Sequence, residues 1–429
     1  GISWYEAAAY AEFMGKSLPT ATHWGIAASG MSGVLQWMGF NTLLGQMSNF
    51  DGKGPAPVGS YPGMNAHGTY DLAGNVREWC WNETTKGRVV RGGAWNDATY
   101  LFSSWSQAPA FDRSTKNGFR CVIYLNPEKI SYSAFSTLKP RESRDFYAEK
   151  PVSDSIFQFF RQQFDYDKTD LDPNVEWKKV KSKDWIQEKI TFNAAYENER
   201  ITAYLFLPKS SPPPYQTVIY VPSSASVAQR SSRDLDTYLE FQYFLAPLVK
   251  NGRAVLYPVY KGTFERGNNE LFAIHGGAET HQYTDFIMKV IQDFRRCIDY
   301  LQQERPEIDG QKLAYCGFSW GANYGAIIPA VEERLGASIL AVGGLSGAGR
   351  SEVNAINYVR RVKAPTLMLN GKYDLNVPYE TRVKPMYDLL GTPPDKKALK
   401  LYDTDHFIPR EELINETLIW LDRYLGSVK

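Results

Sequence analysis

Two rhythms of apolar and polar residues divide this chain near residue 153. Beyond that point, short apolar runs alternate with amphipathic stretches. Residues 190–192 and 201–206 alternate in the manner of an early antiparallel hairpin. Residues 217–221, 254–257, 313–316, 338–342 and 366–369 are brief, nearly continuous apolar runs, the pattern of strands buried on both faces. Residues 286–301 set Ile287, Val290, Ile291, Phe294, Ile298 and Leu301 at i, i+3, i+4 spacing, which predicts an amphipathic helix, and 414–425 reads as a closing helix. Strands alternating with helices imply an α/β class with a mostly parallel sheet covered on both faces.

Residues 1–127 lack this rhythm and are rich in Gly, Asn and Trp. A helix is predicted over 4–14, with Trp4, Ala8, Ala11 and Phe13 on its apolar side, and a second, short one opens at Pro19-Thr20-Ala21-Thr22 and runs through Trp24. The remainder reads as a loop-rich domain. Residues 128–152 are polar, with Lys139-Pro140-Arg141-Glu142-Ser143 and Glu149-Lys150-Pro151, and read as a linker between a domain at 1–127 and one at 153–429.

Composition narrows the function classes. The 429 residues exceed what one core usually holds. Hydrophobic content of 43% and charged content of 22% are those of an ordinary globular protein. A net charge of +1, from 48 basic and 47 acidic residues, calls for no nucleic acid, acidic lipid surface or polyanion. No apolar run approaches the ~20 residues of a membrane helix. Cys80, Cys121, Cys297 and Cys316 form no CxxC pair and no zinc-spaced cluster, so thiols are expected. Gly1-Ile2-Ser3-Trp4 carries no signal-peptide pattern. That favours a cytoplasmic setting, but the chain reads as an N-terminal truncation, so the compartment stays open.

Gly317-Phe318-Ser319-Trp320-Gly321 is a G-x-S-x-G motif. It follows the apolar run 313–316 and opens 322–333, expected as a helix. This is the strand–turn–helix setting in which a serine hydroxyl is exposed at the top of a sheet. Gly317 and Gly321 leave room around the strained turn, and Ala322 and Gly325 let the helix approach the sheet. The order that accompanies this elbow is serine, acid, histidine. Of the five histidines only His406 follows Ser319. Asp374, after the run 367–369 and a Gly turn, is the expected acid; Asp403 and Asp405 are rivals too near His406 in sequence to reach its Nδ1 easily. Oxyanion donors are expected from the amide of Trp320 and from Pro222-Ser223-Ser224-Ala225, assigned to Ser224 with Ser223 left open. Tyr260 and Phe264, with Trp320, are expected at a substrate pocket, although both read equally well as core. Ser346 lacks the second spaced glycine and reads as a strand-end loop. His275 and His281 read as loop or helix-surface residues, and Cys316 as a packed strand residue.

Residues 185–429 resemble the branch of the α/β-hydrolases that holds dienelactone hydrolases, acetyl xylan esterases and prolyl oligopeptidases, through this elbow and through Arg305-Pro306-Glu307-Ile308-Asp309 before it. The resemblance implies the α/β-hydrolase fold. Dienelactone hydrolases use cysteine where this chain has Ser319, and the propeller of the oligopeptidases is missing; both departures favour an ester substrate.

Residues 1–127 resemble formylglycine-generating-enzyme (sulfatase-modifying factor) domains. The resemblance rests on ordered segments that include Gly15-Lys16-Ser17-Leu18-Pro19-Thr20, Tyr70-Asp71-Leu72-Ala73-Gly74-Asn75-Val76-Arg77-Glu78-Trp79, Arg91-Gly92-Gly93-Ala94-Trp95 and Gly118-Phe119-Arg120-Cys121. It implies a C-type-lectin-like fold poor in regular structure. The cysteine pair that binds copper in active members corresponds here to Asp97 and Phe102, so no oxidase activity is expected. His23 and His67 cannot supply the three-histidine iron site of a related branch. The resemblance further implies a structural calcium held by the Asp71 and Glu78 side chains and the Gly74 and Val76 carbonyls, a hydrogen-bonded turn being the other reading. A second site would begin near Asn49. Such domains also follow Ser/Thr kinase domains in bacteria, and a kinase domain is expected before Gly1.

The combined reading is a serine carboxylic-ester hydrolase without a catalytic cofactor, acting through an acyl-enzyme on small or aromatic acyl esters, with a non-catalytic first domain. A prolyl oligopeptidase-like peptidase and a binding protein with an inert hydrolase fold remain as alternatives.

Overall fold

Ser3 starts the first helix as a capping box: its hydroxyl accepts from the Glu6 amide, and the Glu6 carboxylate accepts from the Ser3 amide at 2.9 Å. In the computed structural model, which describes residues 1–28, 47–50, 52–65, 67–103, 105–139, 144–267, 278–347 and 349–428, the chain falls into two units, 1–142 and 143–429. The helix spans Trp4–Phe13 and buries Trp4, Ala7 and Ala11. Phe13, expected on its apolar side, is 86% exposed, because the seam follows i, i+3, i+7 from Trp4. A second helix covers Ala21–Ala28. Four strands make a small sheet: β1 (Arg77–Thr84), β2 (Gly87–Arg91), β3 (Trp105–Ala108) and β4 (Asn117–Gly118), in the order β3-β2-β1-β4. The stretch read as a linker, 128–152, is described in two parts, 128–139 and 144–152. Its first part packs on β1, where the Asn82 amide donates to the carbonyls of Ala134 and Ser136 and the Leu138 amide donates to Glu83. Phe146, from its last part, lies in the core of the second unit. Of the polar run 139–143 only Lys139 is described.

The second unit is built on nine strands: β5 (Asn174–Lys179), β6 (Trp185–Asn193), β7 (Arg200–Pro208), β8 (Tyr215–Val221), β9 (Ala254–Val259), β10 (Ile308–Phe318), β11 (Leu335–Ala341), β12 (Thr366–Gly371) and β13 (Lys397–Tyr402). Their order is β13-β12-β11-β10-β8-β9-β7-β6-β5. β5, β6, β7 and β9 pair antiparallel, whereas β9, β8, β10, β11, β12 and β13 pair parallel. The five apolar runs of the sequence are the five inner parallel strands. Two core clusters lie against the sheet.

The predicted amphipathic helix spans His281–Glu304, with Thr280 accepting from the Tyr283 amide as its cap. Its buried face also carries Asp293 and Asp299, held by Arg266 and Arg334, each at 2.6 Å, so the buried charges are paired. The closing helix is Arg410–Leu425. The helix expected over 322–333 is instead three short pieces, Trp320–Asn323, Tyr324–Ala326 and Ile328–Val331. Pro329 lacks the amide hydrogen that a continuous helix would need at that turn. Among the described residues no helix is long and apolar enough to cross a membrane.

Candidate active site

β10 delivers Ser319 at its C-terminal end, where the chain must reverse into the helix Trp320–Asn323. Ser319 takes φ 53° and ψ −109°, a left-handed conformation that costs of order 1–3 kcal/mol for a residue with a side chain. The surroundings hold it there. A Cβ at Gly317 would meet the Gly321 carbonyl at 2.5 Å, and one at Gly321 would collide with the Val221 carbonyl. The Ser319 amide donates to Ala341 at 2.8 Å, and the Tyr315 hydroxyl donates to the Gly321 carbonyl. Asn323 accepts from the Gly344 amide at 3.0 Å, which binds the elbow to the segment after β11.

The other two chemical groups come from the ends of β12 and β13. Asp374 follows β12 in a turn and is buried; its Oδ1 accepts from the amides of Asn376 and Val377 at 2.8 and 3.0 Å. Its Oδ2 lies 2.6 Å from His406 Nδ1, and His406 Nε2 lies 2.8 Å from Ser319 Oγ. The three side chains that order and elimination selected are thus in one hydrogen-bonded line. Asp405 Oδ1 accepts from the Phe407 amide. Asp403 faces Lys372 at 3.6 Å.

The Trp320 amide is the first of its helix and has no intrahelical acceptor by position. The Gly321 amide donates to the Pro222 carbonyl at 3.0 Å, tying the turn after β8 to the elbow. Within that turn the Ser223 amide points at the Glu240 carboxyl, 3.4 and 3.5 Å from its two oxygens. Ser224 is the cap residue of the short helix Ala225–Ala228.

The Trp320 ring stacks on Phe286, with 6.2 Å between centroids, and meets Tyr324 edge-on at 4.8 Å. Beside it a cleft is lined by Tyr283, Ile287, Tyr324, Ile327 and Val353, with Ser346. Tyr260 and Phe264 are not part of this lining. Tyr260 is wholly buried and donates its hydroxyl to the Tyr220 carbonyl at 2.9 Å, and Phe264 packs on Tyr257 and Tyr238. Both are core residues, a correction to the pocket expectation. Cys316 is buried within β10, and burial pushes its thiol well above the usual range. His281 is exposed at the start of its helix; His275 lies outside the described residues.

In the first unit the calcium expectation meets a different chemistry. Both Glu78 oxygens are taken by Arg120, at 2.5 and 2.6 Å, and the Trp24 indole N–H donates to the same carboxylate at 2.6 Å. Asp71 accepts from the Gly59 amide at 2.7 Å. Of the residues that the resemblance assigns to calcium, Asp71, Gly74, Val76 and Glu78, Glu78 thus has both carboxylate oxygens engaged by Arg120 and Trp24. Asp97 receives the Arg77 guanidinium through two bonds of 2.6 and 2.7 Å, and the Ala94 amide at 2.8 Å. Phe102 packs edge-on against Trp24. Among the described residues no group of three or more His, Cys, Asp or Glu is placed to hold a metal.

Comparison with known proteins separates the two units. Residues 1–125 match the family described as sulfatase-modifying factor enzyme 1-like domain. The chain is 36% identical over 149 residues to the serine/threonine-protein kinase pkn1 of Chlamydia pneumoniae, a match covering 29% of this chain and 24% of the relative. It is 34% identical over 113 residues to the inactive C-alpha-formylglycine-generating enzyme 2 of Bos taurus, covering 22% and 38%. The chain therefore spans about a quarter to two fifths of the length of these relatives. Among solved structures, acetyl xylan esterase 1 from Thermoanaerobacterium sp. JW/SL YS485 superposes with a TM-score of 0.51 at 17% identity, covering 64% of this chain and 96% of that one. At that identity the likeness establishes the fold. The chain thus joins a sulfatase-modifying factor enzyme 1-like domain to a domain of the α/β-hydrolase fold.

Proposed function

We propose that the second unit is a serine carboxylic-ester hydrolase acting on small-molecule esters. The observation that carries this reading is His406, bonded on one nitrogen to Asp374 and on the other to Ser319. His406 Nε2 takes the Ser319 proton as Oγ attacks the ester carbonyl carbon. Asp374 fixes the tautomer with the proton on Nδ1 and stabilises the imidazolium that forms. The amides of Trp320 and Ser224 meet the oxyanion. Ser223 is the weaker candidate of the two serines, since its amide already faces Glu240. The tetrahedral adduct collapses as His406 returns the proton to the departing alcohol. Water, deprotonated by His406, then attacks the acyl-serine and releases the acid. The cleft beside Trp320, with Tyr283 and Tyr324 in its wall, is taken as the acyl pocket.

The first unit is proposed as a scaffold or binding module without oxidase chemistry, since Asp97 and Phe102 stand where a metal-binding cysteine pair is needed. Its likeness to part of a Chlamydia protein named as a kinase supports a modular role beside different catalytic domains.

The test is turnover of p-nitrophenyl acetate and longer acyl homologues, with fluorophosphonate labelling, by the intact chain and by Ser319→Ala. Ester cleavage and labelling, both lost in the variant, are expected. Undiminished turnover in Ser319→Ala removes the proposal.

A further inference from the structure

Glu240 is the one charged residue in the apolar stretch 238–241 that opens the helical segment behind the turn Pro222–Ser224. It is 1% exposed. Its carboxyl is the acceptor toward which the Ser223 amide points, and that peptide is next to the Ser224 amide assigned to the oxyanion. The turn is otherwise pinned by its own bonds: the Ser226 hydroxyl donates to the Ser223 carbonyl at 2.7 Å, and the Gly321 amide donates to Pro222. Glu240 therefore lies against the turn that the esterase reading assigns to the oxyanion.

The groups facing Glu240 from each packed element are neutral near pH 7. They are Tyr220 on β8, Tyr257 on β9, Cys316 on β10 and Tyr238 on its own segment. Among the described residues no basic side chain offsets its charge. Burial accordingly pushes the Glu240 carboxyl up to about 7, against smaller opposing effects from Ser223 and Tyr220.

We infer that Glu240 is a positioning residue of the oxyanion turn and that acyl transfer is fastest while its carboxyl is uncharged. This rests on the esterase reading above. The uncharged acid accepts from the Ser223 amide through its carbonyl oxygen and adds no field. Once ionised, it places an uncompensated negative charge behind the turn where the oxyanion must also carry one, in a region of low dielectric. Ground-state binding of a neutral ester is little affected, so the penalty falls on kcat rather than KM.

The experiment measures kcat and KM for phenyl acetate from pH 5.5 to 9.5 on the full chain, as wild type, Glu240→Gln and Tyr220→Phe. Glutamine keeps the shape and stays neutral. Wild-type kcat is expected to fall by about tenfold above pH 8 with KM steady, while Glu240→Gln holds its plateau. Tyr220→Phe removes a group that favours the charged form, so its fall is expected at higher pH. Infrared difference titration of wild type reads the carboxyl directly through its protonated C=O band and needs no folded variant. A wild-type fall retained in Glu240→Gln overturns the inference while leaving the esterase reading intact, as does a Glu240 carboxyl already ionised at pH 5.5. Absence of ester turnover by wild type at every pH overturns the esterase reading and, with it, this role.

Discussion

Asp374 presents only one of its oxygens to His406. The other is held by the amides of Asn376 and Val377, at 2.8 and 3.0 Å, so the carboxylate cannot rotate away from the imidazole at 2.6 Å. An acid fixed in this way selects the histidine tautomer that leaves Nε2 able to accept the serine proton.

Asp374→Asn tests that selection. The amide preserves size and could keep an acceptor toward one set of partners, but not the charge that stabilises the imidazolium. Ester kcat is expected to drop by about 10⁴-fold with a small change in KM, and the thermal midpoint should move little. Steady-state kinetics with circular-dichroism melts check it. A drop of less than about tenfold is incompatible with Asp374 as the orienting acid.

Gly321→Ala tests the elbow. The added methyl would collide with the Val221 carbonyl and crowd that of Pro222 at 2.9 Å, both backbone atoms that cannot step aside cheaply. A loss of roughly 3 kcal/mol or more in stability is expected, together with loss of fluorophosphonate labelling, because the same residue ties the oxyanion turn to the elbow. Urea unfolding and labelling kinetics read the two effects separately.

How far the sequence discloses this molecule depends on where its constraints are local. The inner strands β8 to β12 are apolar throughout because both faces are covered, so they stand out as runs. The edge strands β5 and β13 are largely polar or half-exposed, and their pairing is set by neighbours distant in sequence, which no local pattern reveals. Ser319, Asp374 and His406 were reachable because their order is restrictive and only one histidine lies downstream. Tyr260 was not decidable, since an aromatic residue after a strand suits core and pocket alike; its hydroxyl contact with Tyr220 decides it. Glu240 carries a visible signal of its own, a lone carboxylate inside the largely apolar run from Tyr238 to Leu245. The Glu78–Arg120 pair lay hidden because ligand patterns inferred from a resemblance do not say which partner a carboxylate has taken.

That pair yields a prediction about metal. Removing one member of a buried ion pair leaves the other without compensation, typically at 3–5 kcal/mol, discounted here because Arg120 is about a quarter exposed. Glu78→Ala is expected to lower stability by about 2–3 kcal/mol. Millimolar calcium or a chelator should leave the midpoint of the wild-type first unit where it was. Differential scanning calorimetry checks both. A calcium-dependent rise in the wild-type midpoint that Glu78→Ala abolishes would restore the cation reading of this site.

The buried Glu240 carboxyl also sets a pH dependence of stability that does not depend on catalysis. Its value is raised from an ordinary 4.5 to about 7 by burial, so the folded state holds this proton more tightly than the unfolded chain does. The resulting stabilisation is complete below about pH 4.5, where both states are protonated. It is lost as pH rises through the interval to about 7, where the unfolded state releases the proton first. The window is worth about 3 kcal/mol. Glu240→Gln cannot titrate, so it should lack this component. The expected outcome is a stability difference, variant minus wild type, that climbs by about 3 kcal/mol between pH 4.5 and pH 7 and is level above it, read from urea unfolding at half-unit steps. A difference independent of pH would mean that Glu240 is solvated or paired in solution, and that its carboxyl is already charged under the turn at neutral pH.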